Sequence, residues 1–99
     1  MPTAEWREEK SENVVKELCR ALALPDVPQA VRESLDVALW DALKLFADAL
    51  QERIGGTRWS PGLVDLFRAQ PAKCDEWLTL MQEPDFDTDA YWEKLNKPE

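Results

Sequence analysis

The stretch from Asp26 to Gly56, DVPQAVRESLDVALWDALKLFADALQERIGG, decides how the rest of the chain reads. Asp26 and Gln29 have the spacing of a capping box with Pro28 in the first turn, and Gly55-Gly56 supplies residues suited to a helix C-cap. Between these signals, at about 100° per residue, Val31, Leu35, Ala38, Leu39, Ala42, Leu43, Leu45, Phe46, Ala49 and Leu50 fall within an arc of roughly 160°. Packing on one side needs less than that. The reading is a long central helix, about residues 27–54, contacted from two directions.

Working upstream, Ser11 has the character of an N-cap, followed by Val14, Val15, Leu18, Ala21 and Leu22 on one face, with Pro25 closing the segment. Extending that helix backwards would place Arg7 and Ser11 on its apolar face. Residues 1–10, Trp6 among them, are therefore expected to form a frayed turn or flexible arm. Downstream, Ser60-Pro61 is a cap followed by an N1 proline and opens a short helix with Leu63, Val64, Leu66 and Phe67. Gln70-Pro71 starts another, with Cys74, Trp77, Leu78 and Met81 at helical spacing, and Glu83-Pro84 ends it. Asp87 caps a last helix carrying Trp92 and Leu95, with Phe86 and Tyr91 placed as a hydrophobic staple.

No stretch alternates apolar and polar residues as a half-buried strand does. The expectation is an all-α fold, a compact bundle of four to five helices around the long central one. Residues 1–99 read as a single helical domain, with a frayed tail at 97–99.

The chain has 99 residues, 44% of them hydrophobic and 32% charged, with five tryptophans, a composition that folds instead of staying disordered. It has no apolar run of membrane-spanning length, and its start lacks the basic and then apolar regions of a secretory signal, which suits a cytoplasmic protein. The net charge of -8 opposes direct binding to a nucleic-acid backbone and favours a basic protein surface. Acid is concentrated at the end: residues 83–99 hold six acidic and two basic side chains.

Histidine is absent, which removes the commonest general base, the serine and cysteine triads and imidazole metal ligands together. Cys19 falls late in an apolar helix face, and both it and Cys74 read as buried thiols; Cys74, near a helix start beside Lys73, is the one with any prospect of reactivity. Asp85-Phe86-Asp87-Thr88-Asp89 has the spacing that opens a calcium loop. However, Ala90 stands where that loop needs glycine and Asn96 where it needs glutamate, so helix-dipole compensation explains these acids better. Residues 60–82 resemble a helix-turn-helix in outline, yet Asp75 and Glu76 give the second helix the wrong sign for DNA. No catalytic, cofactor-binding or metal-binding set emerges.

Trp40 is the informative exception, pointing roughly 140° from the centre of the apolar arc in company with Val37, Lys44, Glu33 and Asp48. Either Trp6 of the arm or Trp92 of the last helix folds over it, or Trp40 and Val37 are an exposed anchor rimmed by charge. Trp59, just before the Ser60 cap, reads as a core residue sealing the next helix. Tyr91 and Trp92 sit among Asp85, Asp87 and Asp89 and offer aromatic surface within negative charge.

The function this supports is that of a small, acidic, non-enzymatic protein that binds a basic surface of a protein or nucleoprotein complex. An inhibitor, an immunity or anti-CRISPR-like antagonist, or a regulatory subunit would have this character. Candidate contacts are Val37, Trp40, Lys44, Asp85, Asp87, Asp89, Tyr91 and Trp92. The alternatives are an assembly subunit or homo-oligomer, in which a neighbouring copy or a larger complex buries the wide apolar arc of the second helix and the outward Trp40, and an enzyme with an unrecognised site. Neither a cofactor nor a membrane is expected among its partners.

Overall fold

Two helices, α1 (Ala4–Leu22) and α2 (Gln29–Ile54), form an antiparallel hairpin on which the remaining helices are laid. The computed structural model describes residues 3–95; the side chains of Trp92 and Leu95, and the tail at 97–99, lie outside the described residues. After the hairpin come α3 (Pro61–Ala69), a single 3₁₀ turn (Pro71–Lys73), α4 (Cys74–Met81) and α5 (Thr88–Leu95), with no strand among the described residues. The all-α architecture with a long central helix is therefore as the sequence reads.

The start of α1 is not. Thr3, not Ser11, is the N-cap, its hydroxyl accepting from the Trp6 N–H at 3.1 Å, and the residues expected to form an arm are helical from Ala4 onward. Ser11 is buried, on the same seam as Val15, Cys19 and Leu22. Its hydroxyl donates to the Arg7 carbonyl at 2.6 Å, so burial leaves it satisfied. Arg7 escapes the apolar face by reaching Glu52 at 2.6 Å, and Glu8 next to it pairs with Arg53, also at 2.6 Å. These two pairs match the start of α1 with the end of α2 and fix the register of the hairpin.

The capping box at Asp26 and Gln29 does not form: Pro28 occupies the N-cap position without a side-chain hydrogen bond, and the helix begins at Gln29. The cause is local. Val27 precedes proline and is driven out of the helical region, so it cannot serve as the first helical residue. At the other end Gly55 and Gly56 both have positive φ, 76° and 79°, conformations that a side chain would strain, and the Gly55 N–H closes on the Gln51 carbonyl at 2.9 Å.

The core runs along Leu39, Leu43, Phe46, Ala47 and Leu50 of α2, with Val15, Cys19 and Leu22 of α1 and Leu63, Val64, Phe67, Leu78 and Met81 from the later helices. Both α1 and α3 pack on α2, so contact from two directions holds. The edge of the expected arc does not: Val31 and Leu45 are 48% and 60% exposed, as is Val14 of α1 at 48%. With extents of 46 × 38 × 18 Å the molecule is only about two helix diameters thick, so the described residues leave one side of the hairpin uncovered.

Four loop-level details hold the later helices in place. Ser60 caps α3, accepting from the Gly62 N–H at 3.2 Å, and Asp87 caps α5, accepting from the Ala90 N–H at 3.0 Å. Phe86 and Tyr91 form the expected staple, with ring centroids 5.3 Å apart. Arg58 is buried and, among the described residues, has no carboxylate as a hydrogen-bond acceptor; it donates to the carbonyls of Gly55, Met81, Glu83 and Pro84 instead, at 2.7 to 3.3 Å. The Gly55 and Met81 carbonyls lie at the C-terminal ends of α2 and α4, where a cation is favoured by both helix dipoles, and those of Glu83 and Pro84 lie in the segment just after α4.

Candidate partner-binding surface

Trp40 is 41% exposed, and neither Trp6 nor any arm covers it. Its contact is Trp59, which the Gly55–Gly56 turn brings back alongside α2: the indole centroids lie 4.9 Å apart at 72°, an edge-to-face pair. Trp59 is partly buried against the core, as expected, and so forms the fixed wall on which Trp40 rests. Lys44 extends over the Trp59 ring at 5.7 Å and pairs with Asp48 at 2.7 Å.

On the other side of Trp40, Val37 is 66% exposed. Together with Asp36, Asp41 and Arg68 the two residues line a shallow groove of about 280 Å³. Arg68 bridges Asp36 at 3.1 Å and Asp65 at 3.2 Å, tying α3 to α2 beside the groove. Val37, Trp40 and Lys44, chosen from the sequence, therefore lie beside one another: an apolar centre braced from below and rimmed by charges, those of Asp36, Arg68, Lys44 and Asp48 in ion pairs.

The acidic end is a separate place. Asp85, Asp87 and Asp89 are exposed at the α4–α5 corner, while Phe86 and Thr88 between them turn inward. No hydrogen bond or ion pair among the described residues connects this corner to the Trp40 groove. Asp87 is committed to its helix cap. Tyr91 is half-buried on Phe86, and burial pushes its phenol above the usual value, so much of its ring serves the fold. The Trp92 side chain lies outside the described residues.

Sequence reasoning missed a second groove, of about 490 Å³, on the uncovered side of the hairpin. Its walls include Trp6 and Val14 from α1 and Ala38, Asp41 and Leu45 from α2. In the sequence Val14 and Leu45 read as core and Trp6 as part of an arm, so their surface character is hidden there. A signal is present, however: Ala38 and Leu45 of this groove stand seven residues apart on α2, in line with Val31, which lines an adjoining hollow near the hairpin turn.

The cysteines lie together. Cys19 of α1 and Cys74 of α4 are both buried and free, and both line a cleft with Lys16, Arg20 and Asp75. A hydrogen bond with Cys74, with burial in support, holds the Cys19 thiol well above its ordinary range, and the same bond lowers Cys74. Among the described residues no three of His, Cys, Asp and Glu gather as a metal-binding group, and no helix is long and apolar enough to cross a membrane.

No family model, curated protein sequence or solved structure matches this chain.

Proposed function

We propose that this protein is a non-enzymatic binding module that engages a basic surface of another protein, with Trp40 and Val37 as its anchor. The observation that carries the reading is the pairing of Trp40 with Trp59: an indole already held at 4.9 Å by a partly buried neighbour, yet 41% exposed, loses little freedom on binding. Tryptophan at the centre of a charged rim is also the residue type that dominates binding energies in interfaces. The net charge of -8 and the exposed Asp85, Asp87 and Asp89 favour a positively charged partner and hasten encounter with it. An inhibitor, an antagonist of a nucleoprotein complex or a regulatory subunit would use such a surface.

The test is affinity capture from the source cell's lysate at low and high salt, comparing the native chain with Trp40→Ala and with a triple Asp85, Asp87 and Asp89 to Asn variant. One dominant basic protein, retained at low salt and lost in Trp40→Ala, is the expected result, with a weaker salt dependence in the triple variant. Capture that is indifferent to Trp40→Ala would remove the anchor reading, and no captured protein would remove the partner.

A further inference from the structure

The bare side of the α1–α2 hairpin carries its own pattern. Along the groove Trp6 is 50% exposed, Val14 48% and Leu45 60%, Val31 at 48% lies in the adjoining hollow toward the hairpin turn, and Ala38 and Ala42 are small enough to let another helix approach closely. Val31, Ala38 and Leu45 are seven residues apart, as are Val14 and Ala21. A seven-residue interval keeps an apolar seam in line as helices wind around each other, which a surface facing only water has no need to maintain.

The charges bordering the groove point to what lies across the seam. Arg7 and Lys10 stand on the α1 wall, and Asp41 and Asp48 on the α2 wall, so the groove is locally neutral in a chain of net charge -8. Lys10 and Asp41 take part in no ion pair among the described residues, whereas Arg7 and Asp48 are already paired. One wall therefore offers a cation held over the Trp6 ring at 5.8 Å but without a carboxylate partner, and the other an anion without a cation. Two-fold symmetry brings such walls together twice, cation to anion, with the same patch on both subunits. A strongly basic partner would find no excess of acid here.

We infer that this groove is the interface of a symmetric dimer, in which two α1–α2 hairpins pack face to face as a four-helix layer and Lys10 of each copy meets Asp41 of the other. The interface shares Asp41 with the Trp40 groove and Asp48 with the Lys44 pair beside it, while Trp40 and Val37 lie outside it, so it is tested independently of the anchor reading.

The test is analytical ultracentrifugation with light scattering on the full chain, from low-micromolar to near-millimolar concentration, with helicity followed by circular dichroism. The mass is expected to rise from that of the 11.4 kDa chain to twice that value. Leu45→Glu, at a side chain already 60% exposed, leaves helicity unchanged and weakens dimerisation by roughly 100-fold, as for the loss of a buried leucine with a charge added. Lys10→Glu and Asp41→Lys each weaken it by about fivefold, and combining them restores it, as a direct pair requires. Should Leu45→Glu lose helicity, the charge reversals carry the test alone. A chain that stays monomeric throughout, forms a larger oligomer, or dimerises without regard to the charge reversals overturns the inference.

Discussion

Nη1 of Arg58 donates to the main-chain oxygen of Met81 at 3.0 Å, and Nε of the same guanidinium donates to that of Gly55 at 2.9 Å. A single side chain thus closes the C-terminal ends of two helices that are far apart in sequence. Arg58→Met would keep the aliphatic volume and leave these carbonyls without donors, so unfolding stability should fall by about 3 kcal/mol. Arg58→Lys should recover part of this, since one ammonium cannot span both ends. Urea denaturation followed by tryptophan fluorescence measures both.

The position of the first cap makes two substitutions diverge. Thr3→Ala removes the acceptor for the Trp6 N–H and should cost about 1 kcal/mol. Ser11→Ala removes only a hydroxyl bonded back to its own helix and should change stability by less than about 0.5 kcal/mol. The reverse ranking in thermal unfolding would restore Ser11 as the cap.

Tyr91 should make the fold sensitive to alkali. Burial raises its folded-state value above the ordinary 10, so the folded state holds the phenolic proton more tightly than the unfolded chain does. That contribution is complete below about pH 10 and is lost as the pH rises through the folded value. Stability measured from pH 9 to 11 should decline more steeply for the native chain than for Tyr91→Phe, and parallel curves would deny Tyr91 this role.

The two thiols should behave unequally. The bond from Cys19 lowers Cys74, so limited alkylation of the folded protein should mark Cys74 before Cys19. Cys19→Ala removes the donor and should slow Cys74 labelling several-fold at mildly alkaline pH, provided the variant stays folded. Peptide mass mapping over a time course reads both sites, and equal rates would contradict the asymmetry.

Where a residue's role depends on its immediate neighbours, the sequence announced it. Ser60, Asp87 and the Phe86–Tyr91 staple needed only a few flanking positions, and the structure keeps all of them. Ser11 misled because a serine before an apolar run looks like a cap, whereas its burial depends on α2 packing against it. Asp26 misleads because it has capping-box spacing, whereas the constraint that Pro28 puts on Val27 keeps the helix from starting there. Arg58 carried no signal at all, since its acceptors are main-chain oxygens brought together only by the finished fold. For the surface, the helical wheel placed Val37, Trp40 and Lys44 together correctly. It had no means of telling which edge of a wide apolar arc would be left bare, and Leu45 and Val14 were lost to the core.

The two indoles beside Lys44 also equip the molecule with an optical reporter. Rings held edge-to-face at 4.9 Å share their electronic excitation, so the pair should give a bisignate circular-dichroism band that neither chromophore gives alone. Anything that seats itself on Trp40 and tilts the ring by a few degrees would alter that band. Occupancy of the surface can then be followed in real time with no dye, tag or added probe.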